Sequence, residues 1–361
     1  MNFIIAGGGT GGHLFPALAI GEKLAKMGAN VTYFGSKFGI ESAILKQKKV
    51  NHFLLNIRGI QRGFDLKSIG KNLLFPFRFC FSILYALYII KRTNPKIIIG
   101  TGGYSSGIPL FCAKILRIPM LLHEQNSFPG ITTRFFAKKA KVVCIASEES
   151  KKYIKSSKLE FTGNPIRGNI KKLDAKIARK KMKLNEDKFT LFFMGGSQGS
   201  KPINEHLFEN YKNYIDQNCQ IIWQCGKLSY NNLNKSIQHP DIHIIDFIDE
   251  MDVAYSSASL VVCRSGAISL AELTACGKAM ILIPFPQAAG NHQVFNAKEL
   301  ETKNAAKVVL QNELQHGKLE EIVMDLKNNP KKIIELENNS SACAIENATE
   351  QIINQIVGIA A

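Results

Sequence analysis

The chain has 361 residues, of which 45% are hydrophobic and 21% charged, and its 46 Lys and Arg against 29 Asp and Glu give a formal net charge of +17. This composition excludes a disordered or collagen-like chain. The length is sufficient for two domains, each with a core of its own.

The excess positive charge belongs to the first half of the chain. Residues 1–164 contain 24 Lys and Arg against 7 Asp and Glu, whereas residues 165–361 contain 22 of each. This asymmetry indicates that the first half meets an anionic partner: nucleic acid, a phosphorylated ligand or an acidic membrane surface. A solvated basic surface without a partner is the alternative that net charge alone leaves open.

The eight cysteines form no C-x-x-C pair and no Cys/His ligand cluster. Most lie in apolar runs such as residues 261–263, where cysteine behaves as a small hydrophobic residue. The pattern predicts a reduced, cytosolic protein without a structural zinc site. Residues 2–6 lead directly into glycines and lack the features of a secretory signal, so we expect none.

In the first half, short apolar runs alternate with segments of helical periodicity. The runs are typical of buried parallel strands, and the first helical segment closes at Gly28. In chain order we predict a strand at 3–6, a turn at 7–13, a helix at 14–27, a strand at 31–34, a strand at 97–99, a loop at 100–107, a helix to 116, a strand at 120–122 and a loop at 123–130.

The second half begins the same pattern again. A strand at 190–194 leads into a glycine-rich turn at 195–200 and a helix from Asn204, and the segment after Asn339 is predicted to be helical. Further strands are predicted at 220–223, 242–245, 260–263 and 280–283.

Two sequential sets of βα units predict an α/β protein with two doubly wound Rossmann-like domains that face a cleft. Turn chemistry at 163–165 marks the boundary. We therefore expect one domain at 1–164, completed by a C-terminal helix at 342–361, and a second at 165–341.

Residues 73–90 form an apolar stretch with a single charge, Arg78. Its length is at the lower limit for a spanning helix, and Pro76 and Arg78 within it disfavour spanning. Aromatic and leucine side chains beside basic residues are suited to attachment at a membrane surface, and a core helix packed on the sheet is the alternative. The flanking basic residues are Lys67, Lys71, Lys91 and Arg92.

Residues 7–12, Gly-Gly-Gly-Thr-Gly-Gly, match the pattern G-x-G-x-x-G between a strand and a helix. Small residues let the backbone approach a phosphate or a sugar, and the helix N-terminus offers N–H groups. A dinucleotide site also needs an acidic residue about 20 positions further, where the sequence has Gly35-Ser36 and the next acid is Glu41. The turn therefore predicts neither NAD binding nor, without G-K-[ST], a P-loop.

His13 follows this turn at a predicted helix start. Open α/β sheets bind ligands beyond the carboxyl ends of their strands, so we expect His13 to face such a crevice. An imidazole at that place is suited to act as a general base near neutral pH. A structural or solvated histidine is the alternative.

Other polar loops also follow predicted strands. In the first half they are residues 100–107 and His-Glu-Gln-Asn at 123–126. In the second half, the turn at 195–200 offers amides suited to a diphosphate. The segment 264–272 opens a helix with Ser265 as the expected N-cap, and residues 291–293 carry groups suited to sugar hydroxyls.

Eight motifs closely resemble, in order and over almost the whole chain, those of the MurG family of peptidoglycan N-acetylglucosaminyltransferases in the GT-B superfamily. They are GGGTGGHLFPALA (7–19), GTGGYSSGIP (100–109), HEQN (123–126), GNPIR (163–167), GGSQGS (195–200), FIDEM (247–251), CRSGAISLAE (263–272) and NHQVFNA (291–297). The resemblance implies inverting transfer of GlcNAc from UDP-GlcNAc to the C4 hydroxyl of MurNAc in lipid I, the undecaprenyl-diphosphate-linked pentapeptide, to give lipid II.

The resemblance also implies roles for individual residues. His13 would take part in acceptor activation, and Tyr104 and Glu124 would line the acceptor side. Because the reaction needs one base, we expect His13 to be the general base, oriented by Glu124. Fixed amides at Ser197 and at the helix start at Ala267 would stabilise the leaving diphosphate. The residues implied to hold UDP-GlcNAc are Thr10, Gly11, Gly12, Asn126, Arg167, Ser197, Ile248, Ala267, Ile268, Ser269, Leu270, Ala271, Glu272 and Gln293.

From these residues we expect an enzyme at the cytoplasmic face of the bacterial inner membrane, attached peripherally. Its expected partners are UDP-GlcNAc, lipid I, an anionic membrane surface and the cell-wall synthesis machinery, without nucleic acid. We expect no cofactor and, because no Asp-x-Asp motif occurs, no obligatory metal. The alternatives are another GT-B lipid glycosyltransferase that uses a UDP-sugar, a UDP-GlcNAc 2-epimerase, and a basic nucleic-acid-binding module.

Overall fold

The computed structural model describes residues 1–58, 75–168 and 170–361. The chain divides into two compact units. The N-terminal unit comprises Met1–Arg167 and Asn347–Ala361, and the C-terminal unit comprises Gly168–Glu346.

The N-terminal unit is built on a parallel sheet, which has seven strands in the part of the chain that the structure describes. The order is β3-β2-β1-β4-β5-β6-β7. Because the order reverses between β1 and β4, their carboxyl ends flank the crevice where doubly wound sheets bind ligands. The strands are β1 (Asn2–Gly7), β2 (Asn30–Ser36), β3 (His52–Leu55), β4 (Ile97–Gly102), β5 (Met120–Glu124), β6 (Val142–Ile145) and β7 (Leu159–Phe161).

Helices cover both faces of this sheet, which explains why its strands are apolar without alternation. Ile4 and Ile98 pack into the core on one face, and Ile5 and Ile99 into the core on the other. The helices are α1 (Gly11–Lys26), α2 (Glu41–Gln47), α3 (Phe75–Thr93), α4 (Gly107–Leu116) and α5 (Ile131–Phe136), with 3₁₀ turns at Tyr104–Ser106, Ala137–Lys139 and Glu148–Tyr153.

The C-terminal unit repeats the same topology with a parallel sheet of order β10-β9-β8-β11-β12-β13. Its switch point lies between β8 and β11. The strands are β8 (Phe189–Met194), β9 (Cys219–Gln224), β10 (Ile242–Ile245), β11 (Leu260–Cys263), β12 (Met280–Leu282) and β13 (Lys307–Val308).

The helices of the C-terminal unit lie before, between and after its strands in sequence. Trp223 is fully buried in the core of this unit. They are α6 (Ala175–Lys181), α7 (Lys201–Asp216), α8 (Lys227–Ser236), α9 (Met251–Ser257), α10 (Ala267–Ala275), α11 (His292–Thr302), α12 (Lys318–Asn328) and α13 (Pro330–Ala342), with 3₁₀ turns at Ala289–Asn291 and Gln311–His316.

A last helix, α14 (Ala348–Ala360), returns to the N-terminal unit. Ile352 and Ile356 are buried in the same core cluster as Leu14 of α1. We expected one helix over 342–361. Instead, α13 ends at Ala342, and Asn347, with a φ of 56°, marks the separate start of α14.

The predicted fold class, an α/β chain with two doubly wound Rossmann-like units, is confirmed. Within the described ranges, four strands were not predicted: β3, β6, β7 and β13. Among the described residues, no helix has both the length and the apolarity that crossing a bilayer requires. Lys67, Lys71 and residues 73–74 of the predicted apolar segment and its flanks lie outside the described residues.

Candidate functional site

Two turns bring His13 and Tyr104 to the switch point of the N-terminal unit. His13 lies in the first turn of α1, directly after β1, and Tyr104 follows β4 in a 3₁₀ turn. A Cβ atom built on Gly9 would lie 2.8 Å from Cε1 of Tyr104, so the tyrosine ring packs on the glycine turn.

The ring of His13 is held through Nδ1. This nitrogen lies 3.1 Å from the carbonyl oxygen of Thr101 and 3.1 Å from Oε1 of Gln125. The hydroxyl of Thr101 also donates to the carbonyl oxygen of His13 at 2.8 Å. Three contacts therefore join the start of α1 to the ends of β4 and β5.

The close approach of the ring depends on Gly102. This residue has a φ of 93°, and a Cβ atom there would lie 2.7 Å from Nδ1 of His13. Any other residue would be strained and would displace the imidazole.

We expected Glu124 to orient His13, but the structure gives that contact to Gln125. The carboxylate of Glu124 is buried and accepts hydrogen bonds from the backbone N–H and the side-chain amide of Asn126, both at 3.2 Å. It also accepts one from the backbone N–H of Gly130 at 3.0 Å. Glu124 therefore fixes the loop that carries Asn126.

Glu41 also belongs to this site, although its position in the sequence does not fit the acidic residue of a dinucleotide site. It is fully buried at the start of α2. Its two carboxylate oxygens accept backbone N–H groups of Ser36 and Gly9, each at 2.8 Å. A carboxylate of the protein itself thus accepts a backbone N–H of the first glycine turn. The signal in the sequence was an acidic residue that follows the end of β2 closely.

In the C-terminal unit, the turn after β8 places Ser197 at the surface. The turn closes with a hydrogen bond from the N–H of Gly199 to the carbonyl of Gly196 at 2.9 Å. A Cβ atom on Gly199, whose φ is 77°, would lie 1.9 Å from the carbonyl oxygen of Cys225. Glycine is therefore required where this turn approaches the end of β9.

The start of α10 differs from our expectation in its cap. Gly266 is the N-cap residue, and the hydroxyl of Ser265 instead donates to the carbonyl oxygen of Gln293 at 2.8 Å. Oε1 of Gln293 accepts the N–H of Phe285 at 2.9 Å. The start of α10 and the start of α11 are thereby held together, with Nε2 as the donor end of the Gln293 side chain.

Glu272 is buried on α10. The hydroxyl of Tyr255, on α9, donates a hydrogen bond to its Oε2 at 3.0 Å. Ile248 lies half-buried between β10 and α9. Both residues are thus in the same unit as Ser197, Gln293 and the first turns of α10.

Arg264 is a second residue that sequence reasoning missed, although an arginine directly after a buried strand was a signal. Its guanidinium is buried and donates to the hydroxyl of Ser200 at 2.8 Å, to the carbonyl oxygens of Ile283 and Pro284 at 3.1 Å, and to Oε1 of Gln311 at 2.7 Å. Burial lowers the pKa of Arg264 to about 10. Its positive charge is therefore fixed among loops at the carboxyl ends of β8, β11 and β12.

The structure separates the predicted residues into two sets. The N-terminal unit holds Thr10, Gly11, Gly12, His13, Tyr104, Glu124, Asn126 and Arg167, its last residue before Gly168. The C-terminal unit holds Ser197, Ile248, Ala267, Ile268, Ser269, Leu270, Ala271, Glu272 and Gln293. We had placed Arg167 with the second set.

Two family models match the chain. The glycosyltransferase family 28 N-terminal domain covers residues 3–145, and the glycosyltransferase family 28 C-terminal domain covers residues 190–356. Among curated relatives, the UDP-N-acetylglucosamine--N-acetylmuramyl-(pentapeptide) pyrophosphoryl-undecaprenol N-acetylglucosamine transferase of Flavobacterium psychrophilum is 36% identical over 99% of this chain and 97% of its own length. The enzyme of the same name from Clostridioides difficile is 33% identical over 99% of this chain and 89% of its own.

Solved structures share the fold over the full length. The crystal structure of Acinetobacter baumannii MurG superposes with a TM-score of 0.77 at 27% identity and covers 99% of both chains. A UDP-GlcNAc 2-epimerase from Neisseria meningitidis, bound to UDP-GlcNAc, gives a TM-score of 0.67 at 15% identity over 99% of this chain and 100% of its own. The second likeness concerns the fold alone.

Proposed function

The chain belongs to the MurG family within glycosyltransferase family 28, and on that premise we propose that it transfers N-acetylglucosamine from UDP-N-acetylglucosamine to N-acetylmuramyl-(pentapeptide) pyrophosphoryl-undecaprenol. The reaction converts lipid I into lipid II for peptidoglycan synthesis. The observation that carries its mechanism is the imidazole of His13, anchored through Nδ1 at the switch point of the N-terminal unit.

In this mechanism, His13 removes the proton from the C4 hydroxyl of MurNAc as the oxygen attacks the anomeric carbon of GlcNAc. The C–O bond to UDP breaks on the opposite face, so the configuration inverts through an oxocarbenium-like transition state. Tyr104, beside the glycine turn, lines the acceptor side together with Glu124, whose carboxylate also holds the loop that carries Asn126. Thr10, Gly11, Gly12 and Asn126 contact the donor from the N-terminal unit.

The C-terminal unit binds the nucleotide in this proposal. The backbone at Ile248 meets uracil, Glu272 accepts from the ribose hydroxyls, and Gln293 donates to the sugar. Negative charge develops on the leaving diphosphate and is stabilised by the amides at Ser197 and at the N-terminus of α10. Arg264 adds a fixed positive charge to the same strand ends. The other predicted donor contacts are Arg167, Ala267, Ile268, Ser269, Leu270 and Ala271.

We assign the basic N-terminal half to the membrane-bound acceptor. Side chains at i, i+4, i+7 and i+11 of α3 form one stripe, and each is at least 60% exposed: Phe77, Phe81, Leu84 and Tyr88. On α5, Ile131 and Phe135 are 74% and 68% exposed. The buried sides of both helices belong to one core cluster, which contains Ile90 and Phe136.

Exposed Lys91 and Arg92 close α3, and Arg134 lies beside the apolar residues of α5. Large apolar side chains flanked by basic ones bind anionic bilayers from the side without spanning them. This arrangement supports peripheral attachment of the N-terminal unit to a membrane surface. The proposal places the protein at the cytoplasmic face of the inner membrane, near the cell-wall synthesis machinery, with the N-terminal unit as the acceptor domain.

The direct test mixes the purified protein with UDP-GlcNAc labelled in the sugar and with lipid I in detergent or vesicles. We expect labelled lipid II and free UDP in equal amounts. Labelled sugar released or epimerised without acceptor would instead identify a 2-epimerase, and transfer to diacylglycerol but not to lipid I would identify another lipid glycosyltransferase.

A further inference from the structure

A chain of hydrogen bonds runs from His13 into the core of the N-terminal unit. Oε1 of Gln125 lies 3.1 Å from Nδ1 of His13. The amide nitrogen of Gln125 lies 2.8 Å from the carbonyl oxygen of Thr101 and 2.9 Å from Nδ1 of His123. Nε2 of His123 lies 3.0 Å from the carbonyl oxygen of Gly163. Gln125 and His123 are both buried.

Backbone carbonyls fix the direction of every bond in this chain, because a carbonyl oxygen only accepts. Gly163 therefore requires a proton on Nε2 of His123, which leaves its Nδ1 as an acceptor for the Gln125 amide. The carbonyl oxygen of Thr101 also accepts from Gln125, so the NH₂ group of that side chain must be the end that faces Thr101. Oε1 of Gln125 is then the end that faces His13. The same carbonyl requires that Nδ1 of His13 carries a proton.

A neutral imidazole with its proton on Nδ1 has its lone pair on Nε2. His13 is thus held in the tautomer in which Nε2 is the basic atom. Complete burial also lowers the pKa of His123 to about 4, so this ring is neutral near pH 7 and its Nδ1 stays available as an acceptor.

We propose that Gln125 is the positioning residue for the general base: its amide, locked between Thr101 and His123, orients the ring of His13 and, with Thr101, sets the tautomer that leaves Nε2 free to accept the acceptor's proton. This inference rests on the proposed function for its last step only. It assigns to a neutral amide the orienting part that a buried carboxylate has in Ser-His-Asp enzymes.

The first test is ¹⁵N NMR of the wild-type protein labelled at histidine, with His13→Gln to assign the His13 signals. At a pH where the ring is neutral, we expect a protonated-nitrogen shift for Nδ1 and an unprotonated one for Nε2. The reverse assignment would overturn the proposal.

The second test changes the charge of the contact. Gln125→Glu places a carboxylate beside Nδ1 of His13, and a carboxylate within hydrogen-bond reach stabilises the imidazolium. We expect the pKa of His13, followed by the same NMR signals, to rise by about one unit or more. A pKa within 0.3 units of the wild type would show that residue 125 does not contact the ring.

The third test is Gln125→Met, which keeps the length of the side chain and removes its amide, and it stands even if Gln125→Glu does not fold. We expect kcat for lipid II formation to fall about tenfold or more while the KM for UDP-GlcNAc stays within twofold. A kcat within twofold of the wild type would overturn the proposal.

Gln220→Met is the matched control, because Gln220 is also a buried glutamine whose amide donates to a backbone carbonyl, in the C-terminal unit. We expect it to leave kcat and the His13 signals unchanged. The NMR tests use no substrate. If the wild type makes no lipid II while the tautomer and the pKa rise are found, the proposed function fails and the positioning role stands.

Discussion

The hydroxyl of Tyr255 donates a hydrogen bond to Oε2 of Glu272 at 3.0 Å, and both side chains are buried in the C-terminal unit. In the proposed donor site, a carboxylate that is held by this bond meets the ribose at a defined angle, so a residue of α9 controls a contact made from α10. Tyr255 is thus placed to affect the affinity for the nucleotide through Glu272.

Tyr255→Phe removes this bond and keeps the aromatic ring, which packs against Phe192. Hydrogen bonds to charged groups contribute about 1.5–3 kcal/mol, part of which bears on the orientation of Glu272. We expect the Kd for UDP, measured by calorimetry, to rise about three- to tenfold. Tyr214→Phe is the control, since that buried hydroxyl donates to Glu320 at 3.4 Å, and Glu320 is not among the proposed UDP-GlcNAc contacts. Equal Kd values for UDP in the two variants would show that Tyr255 does not act on the donor site.

His13→Ala removes the proposed general base. We expect kcat for lipid II formation to fall about 10²–10⁴-fold. The Kd for UDP should stay within twofold, because the proposal places the nucleotide on the other unit. His52→Ala is the control: that ring lies on β3 and is also held by a backbone carbonyl, that of Val50 at 2.8 Å. Normal turnover of His13→Ala at saturating substrates would exclude it as the base.

The buried ring of His123 makes stability depend on pH. Burial lowers its pKa from 6.5 to about 4 in the folded chain. Between these values the unfolded chain binds a proton that the folded chain does not, so the free energy of unfolding falls as the pH falls, by at most about 1.4 kcal/mol per pH unit.

His123→Asn lacks this titration. In urea unfolding at pH 7 and pH 5, we expect the wild type to lose about 2 kcal/mol more than the variant between the two pH values. The same loss in both proteins would mean that His123 is protonated in the folded state.

Glu41→Gln tests the internal carboxylate at the first glycine turn. The backbone N–H groups of Gly9 and Ser36 both donate to this carboxylate. In the variant, one of them would face an NH₂ group instead of an oxygen. Loss of a buried acceptor costs about 1–3 kcal/mol, and we expect the free energy of unfolding to fall by that amount. Glu22→Gln, at an exposed ion pair with Lys48, should change it by less than about 0.5 kcal/mol. Similar effects in both variants would contradict the structural role of Glu41.

Membrane attachment through α3 is tested by Phe81→Ser combined with Leu84→Ser. Each side chain is 67% exposed, and full burial of such a group contributes about 1.5–3 kcal/mol. We expect the partition coefficient onto vesicles with 30% anionic lipid to fall at least tenfold. Phe208→Ser, an exposed phenylalanine of α7, serves as the control. Retained vesicle binding of the α3 variant would place the membrane contact elsewhere.

The sequence predicted both sheets because their central strands are apolar runs followed by glycine turns, and this local signal needs no tertiary information. It missed β3 and β7, which are short and only partly buried at the edges of the sheet. The Ser265 cap failed for a different reason: the serine hydroxyl binds a carbonyl 28 positions away, at Gln293.

The choice between Glu124 and Gln125 shows the same limit within one motif. Successive side chains of extended chain point to opposite sides, so one of these neighbours faces His13 and the other faces the loop. Which one does so depends on where β5 ends relative to β1 and β4. That register is established only when the sheet folds, and it cannot be predicted from the composition of the chain or the spacing of its motifs.

The return of α14 to the N-terminal unit has a consequence for folding during synthesis of the chain on the ribosome. Ile352 and Ile356 complete a core that the first 167 residues begin. At about 5–20 residues per second, the ribosome needs on the order of 10–40 s to supply them after Arg167. The C-terminal unit is continuous in sequence and reaches its full complement of residues earlier. The unit made first is therefore finished last, and until then an apolar face of α1 stays open to chaperones and to other nascent chains.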